Sequence, residues 1–433
     1  MSERLNVSTS LELWRRALEL IPGGCQTASK RAPAFALGAY PIYVDRSAGC
    51  RIWDADGNEY IDYVLGLGPI TLGYGYPAVD EAIRDQLAKG IIWGLNSPLE
   101  IECAERMQEM VPCCGMVRFL KGGAEVTAAA ARIARAYTGK EIILNSGYRG
   151  WADVWTAQQD PPAGAGVPDC LRGLIKTFPR DDLDALRSLL EKWKGKVAAV
   201  FVDEAGGSEA PREVVQGRRE LCDEFDVLLC YDEIVSGFRM APGGAQEYYG
   251  VTPDLACFAK GIANGMPLAA VCGKREVMQT AADLLISITY GGEALSLAAA
   301  CACMKEYRAK PVHETIRAQG QKLVDGFNAI AAKHGVPFAA SGPVMMCQYA
   351  FGYDDPGLNG DCMTLLLQEM AKRGVLLRRG GLLFVTYSHD DEAVSATLAA
   401  LDQVLGLVRE AVEAGEVRTR LEVADVVESF RRF

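Results

Sequence analysis

The stretch Asp254-Leu255-Ala256-Cys257-Phe258-Ala259-Lys260-Gly261-Ile262-Ala263-Asn264-Gly265-Met266-Pro267 is an apolar run that ends on a lysine and a turn. Leu255 to Ala259 reads as a buried strand, and Gly261, Asn264, Gly265 and Pro267 supply the loop after it. Most lysines decorate surfaces, because burying an unpaired ammonium is costly. Here the flanking pattern predicts that Lys260 is carried to the edge of a buried sheet. Upstream, Val227-Leu228-Leu229-Cys230-Tyr231-Asp232-Glu233-Ile234 is a second hydrophobic run, and it meets a carboxylate. A lysine and a carboxylate at neighbouring strand ends are what pyridoxal phosphate requires. The lysine forms the Schiff base, and the aspartate pairs with the pyridinium nitrogen so that the ring acts as an electron sink. The pair alone does not decide the matter, since strands ending in aspartate are common in α/β proteins.

The bulk numbers narrow the choice. At 433 residues the chain buries a large core and divides into two or more domains. A formal net charge of −11 argues against binding built on a phosphate backbone, so no nucleic-acid partner is expected. No apolar run approaches a membrane span, and Met1-Ser2-Glu3-Arg4 leads into a polar amphipathic segment rather than a signal sequence. We therefore expect no membrane partner and a cytoplasmic location. The 14 cysteines are dispersed, without C-x-x-C spacing, beside only three histidines. Buried free thiols in a reducing compartment explain them better than a metal site or disulfides.

Along the chain, Ser10 to Ile21 reads as a helix capped by Ser10 and stopped by Pro22-Gly23-Gly24. Tyr43 to Arg46 and Cys50 to Trp53 alternate like strands of a small antiparallel unit, and Asp54 to Asn58 supply a turn. Val117 to Leu120 is a strand entering Lys121-Gly122-Gly123-Ala124-Glu125, ahead of an alanine-rich helix from Val126 to Tyr137. Small residues there let backbone N–H groups close on an anion at a helix start, although a plain strand-to-helix turn has the same appearance. Buried strands alternating with helices predict an α/β fold with a mostly parallel sheet covered on both faces. In such sheets ligands gather at the carboxyl ends of the strands. From about Val312 the composition shifts to a long amphipathic helix, short strands, a helix from Asp391 to Ala414 and a charged tail.

Three segments go further than pattern. Tyr231-Asp232-Glu233-Ile234-Val235-Ser236-Gly237-Phe238-Arg239, the Lys260 stretch, and Trp53-Asp54-Ala55-Asp56-Gly57-Asn58-Glu59-Tyr60-Ile61-Asp62-Tyr63 resemble class III, fold-type I aminotransferases. The nearest branch resembles glutamate-1-semialdehyde aminomutase, and the resemblance covers nearly the whole chain. It implies a mostly parallel sheet of seven-stranded type, with one antiparallel strand, and a smaller α+β domain from the chain ends. By this reading residues 1–65 contribute to the small domain and the active-site rim. Residues 66–311 form the large cofactor-binding domain, and 312–433 the C-terminal small domain.

The resemblance also implies an activity and a site. The protein is expected to be a pyridoxal 5′-phosphate-dependent aminotransferase or aminomutase on a small anionic amino or keto compound, with the pyridoxamine form arising in turnover. Lys260 and Asp232 are the catalytic residues. Gly122, Gly123 and Ala124 stand where relatives usually have Ser-Gly-Thr around the cofactor phosphate, with Lys121 expected as an electrostatic substitute for the missing hydroxyls. Tyr148 holds the position of the aromatic that stacks on the ring, followed by Arg149 in place of a histidine, and Ile234 packs on the opposite face. Of Asp203-Glu204, which acid matches the family's Glu-Pro stays open. Thr289 matches the threonine that binds the phosphate of the neighbouring subunit, which implies a homodimer with shared active sites. Lys30 takes the place of a substrate-gripping arginine, with Arg31 one residue beyond. Gly66-Leu67 replace a Ser-Trp pair, so Leu67 faces a different substrate, and Gly380-Gly381 lack the aminomutase glutamate. Decarboxylation, racemisation or epimerisation with the same cofactor, and a non-catalytic binding protein on the same fold, stand as alternatives.

Overall fold

Val197-Ala198-Ala199-Val200-Phe201-Val202 becomes a strand buried along its whole length, as a run with no polar face must. The computed structural model describes residues 4–160, 163–204 and 208–422, which divide into two compact units. The larger comprises Pro69–Thr71 and Pro77–His313. The smaller gathers the chain up to Gly68, Leu72–Tyr76, and the chain from Glu314 onward. The charged tail beyond Glu422 lies outside the described residues.

The larger unit is built on a seven-stranded sheet. In spatial order its strands are Met116–Leu120, Ala269–Gly273, Leu255–Phe258, Leu228–Glu233, Val197–Val202, Ile142–Asn145 and Ile175–Thr177. Ala269–Gly273 runs antiparallel to both of its neighbours, while the other pairs are parallel. Two reversals cancel, so Met116–Leu120 leaves the sheet at the same edge as Leu228–Glu233 and Leu255–Phe258. The helix Gly123–Thr138 lays Val126, Ala130, Ile133 and Ala134 onto the sheet within one core cluster that includes Ala199, Phe201, Cys257 and Val271. Its alanines permit close approach of helix to sheet, and the burial supplies the driving force.

In the smaller unit, Val44–Ala48, Arg51–Asp54, Glu59–Asp62 and Val375–Leu376 form one sheet. Phe338–Ser341, Met346–Phe351 and Leu383–Phe384 form another. The first helix, Ser8–Leu20, corrects the expected cap. Ser10 lies inside it, buried, and the N-cap position is Val7. Asp56, from the turn after Arg51–Asp54, instead accepts the N–H groups of Thr9 at 2.6 Å and Ser10 at 2.9 Å. A carboxylate from elsewhere in the chain thus does what a local hydroxyl was expected to do. Among the described residues no helix is long and apolar enough to cross a membrane.

Candidate active site

The parallel pairing of Leu228–Glu233 with Leu255–Phe258 sets Asp232 opposite Cys257. Lys260 follows three residues later, so lysine and carboxylate leave the sheet at one edge. The Lys260 backbone has φ 49°, a left-handed conformation that costs a non-glycine residue energy and is found where surroundings enforce it. The side chain is half-buried.

Asp232 is buried. Its Oδ1 accepts the Ile234 N–H at 3.1 Å, and its Oδ2 lies 3.2 Å from Nη1 of Arg149. Burial pushes the carboxyl up, Arg149 pulls it down, Asp203 pushes it up and Lys260 pulls it down, leaving it at about 6. Desolvation therefore outweighs the attraction of two cations, and the group still ionises below neutrality. Of the Asp203-Glu204 pair, Asp203 is the acid within reach of Asp232. Glu204 is buried in an ion pair with Arg218.

On the same edge, Met116–Leu120 runs into the helix Gly123–Thr138. Glu125 accepts the N–H groups of Lys121 at 2.9 Å and of Gly122 at 2.8 Å. The amides of Gly123 and Ala124 have no acceptor among the described residues. They stand at the positive end of a 16-residue helix, where an anion is favoured. A Cβ at Gly123 would lie 2.9 Å from Cδ1 of Ile234, and a Cβ at Gly150 would lie 2.6 Å from Cβ of Ala124. The helix start, the Ile234 side chain and the loop after Ile142–Asn145 therefore meet at one place. Lys121 does not face the open amides: its ammonium sits 2.9 Å from Glu293. Glu293 also caps the helix Ala294–Ala309 through the Leu295 N–H at 2.6 Å.

Tyr148 lies in the loop joined to Gly150 and is 48% exposed. Thr289 is exposed in a groove with Ile92, Trp93, Leu95 and Ile288. Lys30, Arg31 and Leu67 belong to the smaller unit. Lys30 and Arg31 are exposed at the turn Ala28–Lys30. Leu65, Gly66, Leu67 and Gly68 all have positive φ, at 45°, 62°, 76° and 99°. Asp62 holds this segment by accepting the Val64 N–H at 2.7 Å and the Leu65 N–H at 3.2 Å, and the Tyr74 hydroxyl donates to it at 2.7 Å. Burial raises the Asp62 carboxyl; these bonds and the nearby Lys30 charge act against that rise.

The donors at the sheet edge fit pyridoxal phosphate. A half-buried amine suits an aldehyde, a buried carboxylate suits a ring N–H, and two unpaired helix-start amides suit a phosphate. The sheet edge therefore brings Lys260, Asp232, Ile234, Gly122, Gly123, Ala124 and Tyr148 together within one unit. Sequence reading did not assign partners to Arg149, Glu125 or Glu293. For Glu125 a signal existed, because an acid three residues after the helix cap is the capping-box spacing. For Arg149 and Glu293 the partners are 83 and 172 residues distant in sequence.

Comparison with known proteins agrees with this geometry. Residues 34–405 match the family described as aminotransferase class-III. The chain is 34% identical over 417 residues to 3-aminobutyryl-CoA aminotransferase of Cloacimonas acidaminovorans (strain Evry), covering 94% of this chain and 99% of that protein. It is 32% identical over 424 residues to glutamate-1-semialdehyde 2,1-aminomutase of Syntrophobacter fumaroxidans (strain DSM 10017 / MPOB), covering 92% and 97%. Among solved structures, the PLP internal aldimine form of the Sphingopyxis sp. MTA144 FumI protein superposes with a TM-score of 0.88 at 29% identity, covering 94% and 97% of the two chains.

Proposed function

The chain belongs to the class III aminotransferase family, whose enzymes use pyridoxal phosphate, and on that footing we propose residue roles for amino-group transfer or aminomutation. One observation carries the assignment: Lys260 and Asp232 leave adjacent parallel strands at one edge, close enough for the Lys260 charge to act on Asp232. When bound, pyridoxal phosphate supplies the electron sink for a carbanion at the amine-bearing carbon. Nζ of Lys260 is the attachment point, and the same nitrogen, when free, moves a proton at the substrate carbon. Asp232 holds the proton of the ring nitrogen. Tyr148 and Ile234 orient the ring from its two faces. The amides of Gly123 and Ala124 bind the phosphate, with Gly122 giving its own N–H to Glu125 and shaping the turn.

Lys30 and Arg31 bind an anionic group of a small amino or keto substrate, and Leu67 contributes to its selection. The support is their exposure together with the strained, Asp62-anchored segment that presents Leu67. The protein is a homodimer whose partner supplies Thr289 to the phosphate site. Leu95, 86% exposed, lines the groove that holds Thr289, and Leu285 at 82% and Ile101 at 66% are further apolar side chains left to water, which a second subunit would cover. Free thiols throughout, with only Cys170 exposed, support a reducing cytoplasm.

Borohydride reduction of the cofactor-loaded protein, followed by peptide mapping, is expected to mark Lys260. Lys260→Ala is expected to fold yet lose the visible cofactor band and turnover. A label on another lysine would remove Lys260 from this role.

A further inference from the structure

Arg149 is almost fully buried, and its guanidinium has three acceptors. Nη1 donates to the Tyr148 carbonyl at 2.8 Å and to Asp232 Oδ2 at 3.2 Å, and Nη2 donates to the Ser146 carbonyl. The carbonyl of Arg149 itself accepts the Thr127 hydroxyl at 2.7 Å, from the helix Gly123–Thr138. One planar cation thus ties the loop bearing Tyr148 to the strand end bearing Asp232, and its backbone ties both to the helix that starts at the open amides. A lysine, with one nitrogen, cannot span carboxylate and both carbonyls in this fixed plane.

We propose that Arg149 is a positioning residue for Asp232: it fixes the carboxylate's orientation and holds it ionised, so that Asp232 accepts the cofactor's ring N–H. This rests on the placement of the cofactor at Asp232 given above. The charged groups facing Asp232 come from three neighbouring strand ends: Arg149 after Ile142–Asn145, Asp203 after Val197–Val202 and Lys260 after Leu255–Phe258. The Cys230 thiol lies on its own strand. Burial and Asp203 both favour the protonated acid, which lacks the negative charge that pairs with a ring N–H carrying a positive charge. Against them stand Arg149 and Lys260. Lys260 gives up its charge once it is joined to an aldehyde carbon and deprotonated, whereas a guanidinium keeps its proton at every working pH. Arg149 is then the one permanent cation in that set. The same bond gives Tyr148 its register, because the carbonyl of the stacking residue is among the three acceptors.

The test uses the cofactor-free protein labelled with 13C-aspartate, following the Asp232 carboxyl by infrared difference spectroscopy against Asp232→Asn. In Arg149→Gln the apparent pKa of Asp232 is expected to rise by about one to three units. Arg149→Lys, which restores the charge without the fork, is expected to return it most of the way. In the loaded wild type, the 15N shift of ring-labelled cofactor reports a protonated nitrogen at pH 7, and Arg149→Gln is expected to move it toward the unprotonated value. Should Arg149→Gln fail to fold, Arg149→His measured above the imidazole pKa carries the same expectation. A folded Gln or His variant whose Asp232 titrates as in the wild type overturns the proposal. A shifted Asp232 with an unmoved ring-nitrogen signal also overturns it, by separating the ion pair from the cofactor. Mapping of Lys260 reads independently of all these outcomes, so failure of the site assignment is recognised separately.

Discussion

At the scale of single residues, Asp232 combines burial with charge, and its pH behaviour follows. Its carboxyl sits at about 6 rather than the usual 3.8, so between those values the folded cofactor-free protein holds a proton that the unfolded chain releases. Stability must therefore fall as pH rises across that window and then level off above it. Glu233, raised by burial to about 7, acts with the same sign over a slightly higher range. Urea unfolding of the cofactor-free protein from pH 4.5 to 7 is expected to show this decline, and Asp232→Asn to show a shallower one. An unchanged slope in the variant would return the titration to other groups. In the loaded enzyme the same substitution leaves a neutral amide where a charged acceptor stood. The lost charge-assisted bond is worth about 1.5–3 kcal/mol, which puts the fall in kcat at roughly ten- to a hundred-fold or more. Lys30 and Arg31 make a different prediction. If they hold only a remote anionic group of the substrate, Lys30→Ala or Arg31→Ala raises KM at least several-fold with little change in kcat. Steady-state kinetics with a true substrate decides this, and two wild-type-like variants would move the anion site elsewhere.

At the scale of elements, the junction of Met116–Leu120 with the helix Gly123–Thr138 depends on residues small enough to let neighbours close in. Gly123→Ala would set a Cβ 2.9 Å from Cδ1 of Ile234. That methyl is the end of a flexible side chain, so the expected cost in stability is modest, about 1–2 kcal/mol. Cofactor affinity, measured by titration of the cofactor-free protein, should fall by more if Ile234 packs on the ring as proposed, because the added methyl displaces it. Glu293 does two tasks at once: it caps Ala294–Ala309 and neutralises Lys121, a largely buried ammonium. Glu293→Ala removes the cap and strands the cation, for an expected loss of about 2–4 kcal/mol. Thermal unfolding reads this directly, and Lys121→Met in the same background should recover part of it.

At the scale of the whole molecule, Leu95, Ile101, Leu285 and Tyr290 are large apolar side chains left exposed on one subunit, and the proposed dimer predicts that a second copy covers some of them. Sedimentation is expected to give twice the 46.8 kDa subunit mass. Mixing Thr289→Ala with Lys260→Ala subunits tests whether sites are shared. With sharing, each mixed dimer holds one intact site and one with both lesions, so activity per mixed dimer approaches half that of the wild type. Without sharing, each site carries one lesion and no intact site forms.

The sequence by itself determined the strands that lead to Lys121, Asp232 and Lys260, the α/β class, and the delivery of Lys260 and Asp232 to neighbouring strand ends. Those features are local: unbroken apolar runs demand burial on both faces, and glycine, asparagine and proline end them at definite residues. The helix start at Gly122-Gly123-Ala124 was legible for the same reason. Only the tertiary structure decided which charge meets which. Asp56 rather than Ser10 caps the start of the first helix, Lys121 turns to Glu293 rather than to the open amides, and Arg149 seats its guanidinium on Asp232. Periodicity shows which face of an element is buried, but 45 basic and 56 acidic residues offer far more pairings than a linear pattern can sort. Distance, burial and the desolvation each partner suffers are settled only when remote strands and helices pack together.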